Sequence, residues 1–148
     1  MEKTAHIDSI GPESTLSDCE LIEVPKISDP RGNIAVIEKQ ILPFESKRVY
    51  YLYDVPSSAV RGGHAHKKLK QFIIALSGSF TVVLNDGRHQ KKILLNKPDK
   101  GLLLIPGIWR ELEDFSSGSV CLVLASETFE EEDYIRSYRN FQEFKNFS

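Results

Sequence analysis

From Leu21 onward the hydrophobic positions fall into short runs: LIEV, NIAVIE, RVYYLYDV, QFIIAL, SFTVVL, KKILL, GLLLI and VCLVLA. The segments between them, DPRGN, PSSAVRGG, SGS, NDGR, NKPDKG and SSGS, are turn chemistry. Many short strands broken by Gly and Asx turns predict an all-β sandwich or barrel. Asn85-Asp86-Gly87 predicts a hairpin closed by a tight primed turn, because Asp-Gly supplies positive φ angles cheaply. FIIAL, TVVL, LLLI and VCLVLA are apolar on both alternations, so these strands are expected to be covered on both faces. A second sheet covers one face, and a dimer partner is a plausible cover for part of the other. The tail EEEDYIRSYRNFQEFKNF sets Tyr134, Tyr138, Phe141 and Phe144 at three- and four-residue steps. That spacing predicts an amphipathic helix or turn laid against the barrel, entered through a solvated acidic run, Glu130 to Asp133.

Length and charge narrow this picture without naming a function. The 148 residues suit one domain that buries its own core without a metal or disulfide. Residues 1–17 are polar around Gly11-Pro12 and read as a loose arm, leaving 18–148 as the single domain. A net charge of -2 argues against a broadly basic nucleic-acid surface. No apolar run approaches the ~20 residues of a membrane span, and the first residues hold no apolar signal segment. Cys19 and Cys121 make no disulfide framework, so a reduced, cytoplasmic setting is expected. Cys121 lies in an apolar run and reads as a small buried hydrophobe. His6 and His89 are isolated and expected in solvent.

Chemistry concentrates in Arg61-Gly62-Gly63-His64-Ala65-His66-Lys67-Lys68. On a strand His64 and His66 share a face, where two imidazoles bind a metal or move protons. The plainer alternative is a basic surface strand with incidental histidines. A His-x-His on an early strand of an all-β chain resembles the cupin superfamily. Metal-binding cupins add a Glu four or five residues on and a third His after a later Pro and Gly. This chain has Lys70 or Gln71 at the first place and Arg110, after Pro106-Gly107, at the second. Arg stays protonated and cannot ligate, and two imidazoles alone make a weak divalent site. No metal is therefore expected, and the histidines read as acid/base or hydrogen-bonding groups.

Arg31, Arg48, Arg61 and Arg110 all lie on strands or at strand ends, where guanidinium groups around a barrel mouth suit phosphate. Taken singly, each is expected in a surface ion pair, Arg61 excepted. Tyr50 shares a strand face with Arg48 and Leu52, and Tyr51 and Tyr53 take the other; periodicity alone does not say which face is inward. Most of the aromatics, including Trp109, read as core, with one stacked on a ligand ring. The Ser-Gly-Ser segments are turns rather than nucleophile elbows, and no Gly-rich phosphate loop is present.

RVYYLYDVPSSAVRGGHAHKKLKQ, LNDG, GLLLIPGIWRELEDFSSGSVCLVLASE and DYIRSYRNF together resemble the dTDP-sugar 3,4-ketoisomerase family of cupins, over nearly everything from Leu21 to Phe144. The resemblance implies a cupin β-barrel or jelly roll with a short C-terminal helical or irregular tail. It implies a homodimer that exchanges strands, no cofactor, and conversion of dTDP-4-keto-6-deoxyglucose to a 3-keto isomer by proton transfer through an enediolate. His64, His66 and Tyr50 then stand as catalytic residues; Arg31, Arg48, Arg61, Lys68, Trp109 and Arg110 stand as substrate-binding, Arg31 in some relatives acting from the partner subunit. Some members carry His after the Trp, where this chain has Arg110. The competing expectations are a 3,5-epimerase of the same nucleotide sugar and a non-catalytic sugar-binding cupin.

Overall fold

In the computed structural model, which describes residues 11–146, each apolar run becomes a strand at or near the place its pattern predicts. The strands are β1 (Glu20–Glu23), β2 (Lys26–Asp29), β3 (Gly32–Ala35), β4 (Arg48–Tyr53), β5 (Arg61–His66) and β6 (Gln71–Ser77). They continue with β7 (Phe80–Asn85), β8 (Gln90–Leu95), β9 (Lys100–Leu104), β10 (Trp109–Glu113), β11 (Val120–Ala125) and β12 (Tyr134–Ile135), before helix α1 (Tyr138–Phe144). Two five-stranded sheets, β1-β9-β6-β11-β4 and β12-β5-β10-β7-β8, enclose one apolar core, and β2-β3 form a separate hairpin. Every pairing is antiparallel. The all-β expectation holds. Among the described residues no helix is long and apolar enough to cross a membrane.

The doubly apolar strands are covered largely from within the chain. β6 is buried from Gln71 to Ala75, with Ile73 facing a cavity between the sheets. On β11, Val123 faces that same cavity, while Leu124 faces a second groove built by Ile37, Leu42, Pro43 and Phe44. The loop between β3 and β4 thus shields part of the outer face, a role the sequence pattern assigned to a partner. The cover stops at edge strand β4, where Val49, Tyr51 and Tyr53 remain about three-fifths exposed.

Three local expectations need correction. The β7–β8 hairpin forms, but as a wider loop: Asp86 N–H donates to the His89 carbonyl, and only Gly87 takes positive φ. The Asp86 carboxylate prefers to accept the Arg88 and His89 N–H groups, which holds the loop open. The helix begins at Tyr138, capped by Ser137, so Tyr134 belongs to β12 instead. Residues 11–17 are not loose. The Ser14 hydroxyl donates to the Pro106 carbonyl at 2.7 Å, Thr15 and Asp18 form a capping box, and Leu16 packs on the core. Residues 1–10 of the expected arm, including His6, lie outside the described residues.

A buried clasp fastens the two ends of this region. The Lys145 ammonium donates to the Ser14 carbonyl at 2.6 Å and to the Gly107 carbonyl at 2.9 Å. Burial lowers its pKa, and backbone carbonyls are its hydrogen-bond partners. Gly107 N–H in turn donates to the His66 carbonyl. Gly107 has φ of +80°, and a Cβ there would meet the Gly11 carbonyl oxygen at 2.0 Å, so the close approach needs glycine.

Packing at β9 supplies a test of the core. A Cβ on Gly101 would lie 2.3 Å from the buried Phe72 ring. Gly101→Ala is expected to lower unfolding free energy by about 1–3 kcal/mol, the scale of overpacking, measured by urea denaturation; an unchanged midpoint would contradict this packing.

Candidate active site

A cavity of about 350 Å³ opens between the sheets, and its walls collect side chains from separate strands. β4 contributes Arg48, Tyr50 and Leu52, which settles its inward face; Tyr51 and Tyr53 point out. β5 contributes Arg61, Gly62 and His64. Strict alternation would send Arg61 and His64 to opposite faces. The strand escapes this by a bulge: Arg110 of β10 opposes His64, while Leu112, two residues on, opposes Arg61. Gly62 absorbs the extra residue with φ of +75°. The Gly-Gly pair therefore brings the mouth arginine and the histidine to one cavity.

Arg110 lies at the cavity wall almost wholly buried, with no carboxylate among the described cavity-lining residues. It donates to the Ile108 carbonyl and to the Gln71 side-chain oxygen. Since Arg can only donate, the Gln71 amide is oriented: its oxygen faces Arg110 and its nitrogen donates to the Tyr50 hydroxyl at 3.0 Å. Tyr50 is thus an acceptor in that bond, and its own O–H remains available to the cavity. Burial raises the Tyr50 pKa, keeping the phenol protonated. Arg48 leans over Tyr50 at 5.1 Å and leaves Nε and one terminal nitrogen buried without a hydrogen-bond partner; one terminal nitrogen of Arg110 is in the same position. Arg61 and Arg136 stand at the exposed rim. Four guanidinium groups line a cavity whose described walls hold no Asp or Glu. Buried donors without acceptors are costly, so this wall is built for an anionic or carbonyl-bearing guest.

The histidines are held neutral. Burial, then the Arg110 charge, then His66 and Arg136, lower the His64 pKa to about 2. Burial lowers that of His66 to about 4, against the upward pull of Asp133. The two rings meet edge-to-face at 4.8 Å. His66 is fully buried behind the wall, its Nδ1 2.9 Å from Asp133 Oδ2 and its Nε2 without a partner. Tyr134 covers both rings, 5.0 Å from His64 and 4.4 Å from His66.

Asp133 and Tyr134 were absent from the sequence-derived site. The acidic run was expected to be solvated throughout, yet Asp133 is 5% exposed and turned onto His66. Burial alone would raise its pKa; hydrogen bonds from His66 and from Lys68 N–H outweigh that and lower it. Nothing in a run of four acids separates this one, except its place directly before the apolar pair of β12.

Other expected residues stand elsewhere. Trp109 alternates with Arg110 and so faces outward, packed on Tyr138 and Phe141 of α1, with its indole N–H donating to Glu111. The Lys68 side chain points to solvent and pairs with Glu130 at 2.9 Å. Arg31 sits at the tip of the β2–β3 hairpin with a side chain 90% exposed, paired to Asp29. The tight Asp-Pro-Arg-Gly turn projects it away from its own chain's cavity. Among the described residues no three His, Cys, Asp or Glu groups cluster to hold an ion.

Comparison with known proteins places this geometry. The family model described as FdtA: WxcM-like, C-terminal, matches residues 17–146. The chain belongs to that family. It is 45% identical, over 84% of this chain and 91% of the other, to the TDP-4-oxo-6-deoxy-alpha-D-glucose-3,4-oxoisomerase of Aneurinibacillus thermoaerophilus. It is similar to a His-to-Asn mutant of the 3,4-ketoisomerase QdtA from Thermoanaerobacterium thermosaccharolyticum, solved with TDP-4-keto-6-deoxyglucose. That match has a TM-score of 0.86 and 43% identity, covering 89% of this chain and 97% of the other. A 3,4-ketoisomerase from Helicobacter canadensis matches with a TM-score of 0.84 and 44% identity, covering 87% and 98%.

The depressed histidine pKa values set a pH dependence of stability. An unfolded His takes a proton near pH 6.5 while the folded one does not, so their contribution is complete above that pH and is lost on acidification toward pH 4. Each histidine adds a slope of about 1.4 kcal/mol per pH unit in that window. Urea midpoints of the wild type are therefore expected to fall more steeply between pH 7 and 4.5 than those of His64→Asn/His66→Asn. Equal slopes would show that the imidazoles are not held neutral.

Proposed function

We propose that this protein isomerises dTDP-4-keto-6-deoxyglucose to a 3-keto-6-deoxyhexose nucleotide, in keeping with relatives named as 3,4-ketoisomerases. The observation that carries this reading is a neutral imidazole, His64, beside a phenol and buried unpaired guanidinium donors around one cavity, with the His66 ring packed directly behind it. In the substrate the C4 ketone acidifies the proton on C3. The histidine pair removes that proton, leaving an enediolate across C3 and C4. Arg110 and Arg48 stabilise the oxygen charge that develops, in a wall where water does not compete. The pair returns a proton to C4. Tyr50, with its O–H unengaged by Gln71, relays the hydroxyl proton from O3 to O4. The carbon proton has then moved from C3 to C4, and the oxygen proton from O3 to O4. Arg61 and Arg136 at the rim suit the diphosphate. The reduced Cys19 and Cys121 agree with a cytoplasmic setting.

The same reading extends to a homodimer. The exposed Val49, Tyr51 and Tyr53 on edge strand β4 offer an apolar face. The β2–β3 hairpin leaves Ile27 and Ile34 about three-fifths exposed, and exchanging it would carry Arg31 to the partner's cavity. Sedimentation is expected to give twice the chain mass, and Tyr51→Lys/Tyr53→Lys to give a monomer; a monomeric wild type would overturn the dimer.

Proton NMR of dTDP-4-keto-6-deoxyglucose incubated in deuterated water tests the activity. A 3-keto product with deuterium at C4 is expected; deuterium at C5 without a 3-keto signal would mean a 3,5-epimerase. His64→Asn, His66→Asn and Tyr50→Phe are each expected to cut turnover at least ~10²-fold. Full turnover in the double histidine variant would leave a sugar-binding protein without this chemistry.

A further inference from the structure

Of three consecutive acids in the 3-10 turn Glu131–Asp133, only Asp133 is buried. It is immobilised from every side. Its Oδ2 lies 2.9 Å from His66 Nδ1, and its Oδ1 accepts the Lys68 N–H at 2.7 Å. Its own N–H donates to the Glu130 carbonyl, and its carbonyl accepts from Lys67 N–H. The next residue, Tyr134, is the register partner of His66 in the β12–β5 pairing. One short segment thus grips the histidine strand through main chain and carboxylate together.

That grip has a chemical consequence. An ionised carboxylate only accepts hydrogen bonds, so the neutral His66 ring must carry its proton on Nδ1. The lone pair then sits on Nε2, which is buried, has no partner, and lies on a ring in contact with His64 and Tyr134. A buried acceptor left empty is uncommon in a folded protein and calls for a reason. The charged groups acting on His66 are Arg110 and Arg48 from the cavity wall and Asp133 from behind. Asp133 is the only one of these that favours the protonated ring.

We propose that Asp133 is a positioning residue for the isomerisation: it fixes His66 in the Nδ1–H tautomer, so that Nε2 takes and returns the proton. This rests on the reading of His66 as an acid/base group. When Nε2 accepts a proton, the imidazolium keeps its Nδ1–H bond to Asp133, and the carboxylate stays ionised throughout. The proton leaves again from Nε2, and both groups return to their starting state.

Asp133→Asn separates this role from a merely structural one. Asn retains an oxygen for the Lys68 N–H, so the segment stays fastened, but its amide offers Nδ1 a donor and turns the ring to the wrong tautomer. The expected result is a thermal midpoint close to wild type, KM within a few-fold, and kcat lower by ~10²–10⁴-fold. Asp133→Glu is expected to recover part of kcat. A folded Asp133→Asn enzyme with kcat within three-fold of wild type would overturn the proposal. Long-range ¹H–¹⁵N NMR of the wild-type imidazoles gives a second test that does not depend on a variant folding. A protonated Nδ1 on His66 is expected, and an Nε2–H tautomer would refute it. An inactive His66→Asn beside an active Asp133→Asn defeats this inference alone, whereas a fully active His66→Asn defeats the acid/base reading beneath it.

Discussion

The buried guanidinium of Arg110 constrains everything around it. A cation almost wholly removed from water, with no carboxylate among the described residues lining its cavity, must be met by neutral acceptors. The Ile108 carbonyl and Gln71 provide them, and the second of these orients the Tyr50 hydroxyl. The same charge helps to keep His64 and His66 unprotonated. One residue choice thus bears on the protonation of both histidines and on the orientation of the Tyr50 hydroxyl. The remaining unpaired donors are an unmet demand that an anionic or carbonyl oxygen of a guest can satisfy.

Backbone geometry delivers these groups to one place. β10 presents Arg110 and Leu112 to the cavity and Trp109 outward, by simple alternation. β5 departs from alternation through the bulge at Gly62, which puts Arg61 on the cavity side with His64. Behind β5, the segment before α1 returns to add Asp133 and Tyr134. The histidines are therefore supported from the rear by residues almost seventy positions later in the chain.

Strands and the histidine cluster were legible because period-two alternation and turn residues are local. His64, Tyr50, Arg48 and Arg110 reach the cavity on strands whose pattern is clear, whereas Arg61 reaches it only through the bulge at Gly62. Trp109 was misplaced because it neighbours Arg110, and adjacent strand residues face opposite ways. Lys68 lies beyond the last paired residue of β5, where alternation gives no guidance. Asp133 was hidden because its burial comes from pairing between β12 and β5, a contact that no local pattern encodes. The wider β7–β8 loop has a similar cause: a side chain competed successfully with the backbone for the Arg88 and His89 N–H groups.

The Lys145 clasp bears on how this protein is born. The carbonyls it joins belong to Ser14 and Gly107, and the latter's N–H holds the strand end that carries His66. A chain emerging from the ribosome can pair its early sheets long before Lys145 exists. Until then the segment around Ser14 has no ammonium to receive it, and Asp133 has not yet reached His66. The fastening of Ser14 to Gly107 therefore waits for the last helix, so a nascent chain would have most of the barrel before this clasp can close.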